Sequence, residues 1–190
     1  SIIALIPARS GSKRIKNKNV KLLNGHPLIA YTISAAIQSK IFSDIIVSTD
    51  SRKYKKIAEY YGAQSHLRPK DLAGDLSPDI GWVKDILSEQ KKVGKNYNLF
   101  SILRPTSPFR LPKTIRDAMK TFLKLSEVSS LRAVQECSEH PAKIWKINDK
   151  IMKPIIKGKN NGVPWHSCQF SSLPKFYIQN ASLEISKVSN

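Results

Sequence analysis

Seven residues, Ser1-Ile-Ile-Ala-Leu-Ile-Pro7, restrict this chain more than any other stretch. A continuous apolar run closed by proline reads as a strand buried on both faces, and such a strand needs a sheet covered on both sides. A parallel sheet is therefore expected. After a polar stretch, Pro27 suits a first helical turn, and Leu28, Ile29, Thr32, Ile33, Ala36 and Ile37 follow at helical spacing. Asp44-Ile-Ile-Val-Ser-Thr-Asp50 is a second short buried strand. The alternation continues with a helix over about 53–61, a short strand near 63–66 and a helix over about 78–91. A third buried strand follows at 98–103 and a helix at 113–125. Together these predict an α/β, doubly wound, mostly parallel sheet with helices on both faces. Ligands of such sheets sit outside the carboxyl ends of the strands, which directs attention to the loops after Leu5, Ser48 and Leu103.

Beyond Ser129 the pattern changes. Strands are expected at 130–135 and 143–147, then a Lys/Asn/Gly/Pro-rich stretch over 153–174 without helical period, then a last strand over 176–185. The expected organisation is a core over 1–150, an inserted arm over 151–175 and a return to the core over 176–190. A connection that long in a small domain is usually functional, interfacial or disordered.

Charge narrows the partners. The chain has 32 Lys and Arg against 14 Asp and Glu, a formal net charge of +18, which attracts nucleic acid, anionic membrane or phosphorylated small molecules. Scattered lysines such as Lys53, Lys55, Lys56, Lys91 and Lys92 read as solvated faces. No helix-turn-helix, RRM or zinc-finger pattern is present, and the densest cations sit at a strand-to-loop junction instead of along one helix. The expectation is no nucleic acid and no membrane as partner, with a basic nucleic-acid-binding protein as the competing class. No apolar run approaches the roughly 20 residues of a membrane helix, and the apolar start is too short for a signal peptide, so a soluble, cytoplasmic chain is expected. Cys137 and Cys168 have neither metal-ligand spacing nor a disulfide framework and read as reduced thiols.

The densest chemistry lies directly after the first strand. Arg9, Lys13, Arg14, Lys16 and Lys18 place five cations within ten residues, interleaved with Ser10, Gly11 and Ser12. Such crowding is repulsive unless an anion neutralises it, and a glycine-containing loop supplies backbone N–H groups as well as charge to phosphates. The pattern is neither a P-loop nor G-x-G-x-x-G.

This loop, Ala8-Arg-Ser-Gly-Ser-Lys-Arg-Ile-Lys-Asn-Lys-Asn19, closely resembles the signature of the acylneuraminate (CMP-sialic acid synthetase-like) cytidylyltransferase family. Ile46-Val-Ser-Thr-Asp50, Leu67-Arg-Pro69 with Asp75, and Arg104-Pro-Thr-Ser-Pro-Phe-Arg110 agree with it in order and spacing, as do His140-Pro-Ala-Lys143 and, more weakly, 179–185. The resemblance implies a Rossmann-like nucleotidyltransferase that transfers CMP from CTP to a nonulosonic, sialic-acid-like sugar acid with release of pyrophosphate. It also implies a homodimer in which an inserted arm, here 151–175, reaches the partner. The same fold activating another sugar, and an inactive homologue that binds nucleotide only, are the neighbouring readings.

By the same resemblance, Arg9, Lys13 and Lys18 carry the catalytic charge, and Arg9, Gly11, Ser12, Lys13 and Lys18 contact the phosphates. Asn19 holds the nucleotide or the loop, and Arg68, with Asp75, approaches the cytidine. Ser77 or Asp79 would lie near the base edge, where a carboxylate can accept from the cytosine amino group; Asp79 could equally cap the helix that follows. Arg104, Thr106, Ser107, Lys143, Gln179 and Asn180 would face the sugar. Two positions break the family's pattern: Arg104 stands where glutamine is typical and Glu184 where tyrosine is usual. Arg104 offers a fork suited to a carboxylate, or it pairs with a nearby Asp such as Asp75. Arg110 is expected to support its loop or cap a helix, His140 to be structural, and Trp82, Trp145 and Trp165 to be core or interface aromatics. The implied cofactor is Mg²⁺, held in this family partly by an Asp-x-Asp pair later in the chain; no Asp follows Asp149, so a truncated C-terminus is expected.

Overall fold

The computed structural model describes every residue except Asp75 and Asn190. Its elements in chain order are β1 (Ile2–Pro7), the short strands β2 (Leu22–Leu23) and β3 (His26–Pro27), α1 (Leu28–Ser39), β4 (Asp44–Thr49), α2 (Arg52–Tyr60) and β5 (Gln64–Leu67). Then come α3 (Asp79–Lys92), β6 (Leu99–Leu103), α4 (Pro112–Lys124), β7 (Ser130–Glu136), β8 (Trp145–Asn148), β9 (Ile151–Pro154), β10 (Lys159–Asn160), β11 (Val163–Pro164) and β12 (Tyr177–Lys187). The main sheet has the order β5-β4-β1-β6-β12-β7. β1 pairs in parallel with both β4 and β6, β5 is parallel to β4, and β12 is antiparallel to β6. The chain thus leaves β1 toward one edge and returns to its other side at β6. That reversal opens a crevice at the carboxyl ends of β1 and β6.

The period-two reading of β1 explains how the sheet is covered. Ile3 and Leu5 join Ile46, Ile102 and Trp82, Val83 and Ile86 of α3 in one cluster, leaving Ala4 and Ile6, fully buried, to the opposite face. α1 packs against β1 and β4, and α4 against α1. The sheet is α/β and mostly parallel, as the apolar runs predict, and the boundaries of its helices fall within one residue of the periodicity. Among the described residues no helix is long and apolar enough to cross a membrane.

The chain divides into two compact units, one of 1–132 with 181–190 and the other of 133–180. The second unit begins earlier than the 151–175 arm read from composition, and it contains more order than that reading gave it. β8 and β9 pair antiparallel across a turn at Asp149, and β10 and β11 across Asn161-Gly162. Asn161 and Gly162 both have positive φ (46° and 82°), the conformation of a two-residue hairpin turn that Asn-Gly favours; Asn24 and Gly25, between β2 and β3, repeat it. The second unit's small core is Ala142, Cys168 and Leu173 with Trp165 packed beside them. Gly158 belongs to it by steric necessity, since a Cβ there would fall on the Trp165 ring. Both cysteines are free thiols.

Candidate functional site

The phosphate-loop candidate leaves β1 at Pro7 and is anchored by its polar neighbours. Ser10 donates its N–H to Asp50 Oδ1 (2.7 Å) and its hydroxyl to Asp50 Oδ2 (2.9 Å). Asn19, buried, donates its amide to the Arg9 carbonyl (3.0 Å), and Tyr54 Oη donates to Asn17 Oδ1 (3.2 Å). Asn19 therefore holds the loop. Asp50 ends a segment that the motifs pick out, but its anchoring of Ser10, like that of Asn17 by Tyr54, was not legible in them, because a contact over 40 residues depends on the β1–β4 register that only the fold supplies.

With the loop so held, a cavity of about 570 Å³ opens within the first unit, over the carboxyl ends of β1 and β6. Of the residues proposed from the sequence, Arg9, Ser12, Lys13, Lys18, Asn19, Arg68, Ser77, Asp79, Arg104 and Thr106 line it, joined by Arg14 and Ile15. Gly11 and Ser107 adjoin lining residues in the chain but do not line it. Asp75 lies outside the described residues. Lys143, Gln179 and Asn180 belong to the second unit, where the Lys143 ammonium donates to the carbonyls of His166 (3.2 Å) and Cys168. His140, also there, is buried: Nδ1 accepts from Ala142 N–H (3.1 Å) while Nε2 donates to Pro174 O (2.9 Å), a structural arrangement with both ring nitrogens used.

The cavity wall is strongly positive. Arg9, Lys13, Arg14, Lys18, Arg68 and Arg104 line it against one carboxylate among the described residues, Asp79. Arg68, only 7% exposed, stacks over Trp82 (4.9 Å to the ring centroid) and donates Nε to Ser48 Oγ (3.1 Å). Burial pushes its guanidinium down from the ordinary value, opposed by the charges of Asp79 and Asp50. Trp82 is fully buried and donates Nε1–H to Asp79 Oδ1 (2.9 Å), so it works in the core and as a support for this wall.

Asp79 begins α3 without capping it, since the capping position is Pro78, which offers no side-chain hydrogen bond. Burial acts to raise its carboxyl, but hydrogen bonds from Arg104 and Trp82 outweigh this and hold it below the usual carboxylate range. Ser77 Oγ donates to the Asp71 carbonyl (2.9 Å). Arg104 bridges two acids, with Nη2 2.5 Å from Asp79 Oδ2 and 3.0 Å from Glu184 Oε1. Although burial acts to lower the Arg104 guanidinium, those two carboxylates raise it. Its acidic partners are thus Asp79 and Glu184, and the two sequence departures, Arg104 and Glu184, form one ion pair. Next to it, Arg110 ties the loop to β12, donating Nη2 to the carbonyls of Arg104 (2.9 Å) and Ser182.

A loop of cations at the switch point of a parallel sheet has the chemistry to hold a phosphorylated ligand. Comparison with known proteins decides the family: the profile described as Cytidylyltransferase matches residues 3–184. The chain belongs to the cytidylyltransferase family. Among relatives of this cytidylyltransferase chain, the N-acylneuraminate cytidylyltransferase of Escherichia coli O18:K1:H7 is 45% identical over 143 residues, 75% of this chain and 33% of that protein. The CMP-N,N'-diacetyllegionaminic acid synthase of Legionella pneumophila is 48% identical over 120 residues, 63% of this chain and 52% of that one. The chain thus spans about a third to a half of the length of these curated relatives. In fold it is similar to the CMP:2-keto-3-deoxy-manno-octonic acid synthetase complexed with CTP, with a TM-score of 0.67 at 14% identity over 98% of this chain and 73% of that one.

Proposed function

We propose that the cavity seats CTP and that the protein transfers CMP to a nonulosonic sugar acid, releasing pyrophosphate. The observation that carries this is the wall of six Arg and Lys side chains, four of them from the loop after β1, at the switch point of the sheet. Relatives named as cytidylyltransferases and synthases of CMP-linked acidic sugars support it. In the proposed step an acceptor hydroxyl attacks the α-phosphorus; the new O–P bond forms as the bridge to the β-phosphate breaks, and the hydroxyl proton leaves to water. Such a transfer needs placement and charge neutralisation more than a covalent nucleophile. Arg9, Lys13 and Lys18 neutralise the triphosphate, Ser12 and Gly11 offer the backbone, and Arg68 with Ser77 and Asp79 faces the cytidine. Arg104, Thr106, Ser107, Lys143, Gln179 and Asn180 are proposed toward the sugar.

Mg²⁺ is the proposed metal of the reaction by family resemblance. The described cavity residues do not fit it: their one carboxylate, Asp79, already accepts from Arg104 and Trp82, and Asp50 is committed to Ser10. We also propose a cytoplasmic homodimer, supported by the apolar side chains that the second unit leaves exposed, Ile147 (67%), Ile151 (66%), Met152 (53%) and Ile155 (60%) among them.

Melting with CTP, ATP, GTP and UTP, with and without Mg²⁺, tests the seat. The proposal expects stabilisation by CTP above the other nucleotides, growing as RT ln(1 + [L]/Kd). Pyrophosphate release with a panel of nonulosonic acids tests the transfer, and Lys13→Ala is expected to abolish it without loss of fold. Stronger stabilisation by duplex DNA at physiological salt would overturn the reading in favour of a nucleic-acid binder.

A further inference from the structure

Behind Arg68 a line of side chains runs away from the cavity along the sheet face that α3 covers. Ser48 of β4 is fully buried, and its Oγ receives the Arg68 Nε–H. The parallel register of β4 and β5 places Ser48 opposite His66, whose Nδ1 lies 3.2 Å from Ser48 Oγ. His66 is itself buried, and its Nε2 is 2.9 Å from Asp85 Oδ2 and 3.6 Å from Glu89 Oε2, both on α3. Ser48, His66, Asp85 and Glu89 do not line the cavity.

Counting protons and lone pairs gives this line a direction. Asp85 as a carboxylate only accepts, so the His66 nitrogen facing it must carry the proton. The neutral ring then presents the Nδ1 lone pair to Ser48, whose single hydroxyl hydrogen points to it. That leaves the Ser48 lone pairs for Arg68, whose Nε–H can only donate. The opposite ring tautomer sets a lone pair of Nε2 against the carboxylate at 2.9 Å. Of the two neutral tautomers, only the first satisfies each of these contacts, as a buried network requires.

We infer that His66 is a positioning residue for the nucleotide site: held by Asp85, it orients the Ser48 hydroxyl and so aims the Arg68 guanidinium. The inference rests on reading the cavity as the seat of CTP. It extends the site by three residues, Ser48, His66 and Asp85, that no motif of the loop reveals.

Two substitutions separate aim from mere packing. His66→Asn keeps an acceptor where Nδ1 stood and loses the reach to Asp85; His66→Gln keeps the reach and loses the acceptor. CTP dissociation constants come from calorimetry, and the solvent exchange of the Arg68 Nε–H in the ligand-free protein comes from NMR. The expected result is CTP binding within threefold of wild type for the Asn variant and at least tenfold weaker for the Gln variant, with Arg68 Nε–H exchange tenfold faster in the Gln variant alone. Unchanged exchange in the Gln variant, or equal losses in both variants in step with their melting temperatures, overturns the inference. If the wild-type protein gives no heat with CTP, the reading of the cavity fails, and the exchange rates alone decide whether His66 aims Arg68.

Discussion

Gly11 sits among the cations without a steric reason of its own: its φ is not in the left-handed region, and a Cβ built on it meets nothing within 4 Å. The proposed triphosphate, which must come close to backbone, would account for a glycine there. Gly11→Ala is therefore expected to leave the melting temperature unchanged or raise it, by about 0.4–1 kcal/mol from reduced unfolded-state freedom, while CTP affinity falls at least several-fold in calorimetry. Wild-type affinity in that variant would place the phosphates away from the loop. At this scale the sequence was legible where residues crowd together, as at Arg9, Lys13 and Lys18, because like charges within one short loop imply a counter-ion whatever the fold. Arg104 with Glu184, 80 residues apart, was legible only as two oddities, since their union depends on the β6–β12 pairing.

Asp44, at the mouth of β4, receives Lys95 Nζ (2.6 Å), Tyr97 Oη (2.6 Å) and Gln64 Nε2 (2.5 Å), so one carboxylate gathers β4, β5 and the approach to β6. Burial acts to raise the Asp44 carboxyl, but the three donors outweigh it and leave it below its ordinary value of 3.8. A depressed folded-state pKa gives stability that is fully present above the unfolded value and lost as pH falls through the lower, folded one. Asp44→Asn should cost about 1–3 kcal/mol at neutral pH in urea titrations, and its gap from wild type should close only below about pH 4. A constant gap down to pH 2 would deny the carboxylate this role. Ala181 tells a second story at this scale. It carries φ of 54° within β12, a conformation that costs a side chain about 1 kcal/mol. Ala181→Gly should raise stability by roughly that amount; a loss would show that the methyl group is needed. Strands β1, β4 and β6 were legible as apolar runs. The hairpins were not read, although Asn24-Gly25 and Asn161-Gly162 signalled them, because strands of two residues leave no alternation to count.

For the whole molecule, charge and apolar exposure point to different partners. The excess of +18 draws anions toward the crevice, and CTP binding should weaken as salt rises, because exposed charges are screened beyond about 10 Å at 0.1 M. The second unit offers something else. Its two-stranded hairpin of β8 and β9 leaves Ile147, Ile151 and Met152 in contact with solvent, and a hairpin of two strands is marginal alone. Sedimentation equilibrium should return twice the 21.4 kDa chain mass, and Ile147→Asp with Ile151→Asp should return the single mass. A monomer in the wild type would remove the proposed homodimer.

The chain departs into its second unit from β7 and comes back along β12, and these two strands are next to each other in the sheet. An excursion whose doorways stand side by side makes little demand on the frame it leaves. Changes confined to the stretch between Glu136 and Tyr177 are expected to leave the pairing of β1, β4, β5 and β6 untouched, so that the accessory piece varies while the crevice keeps its shape.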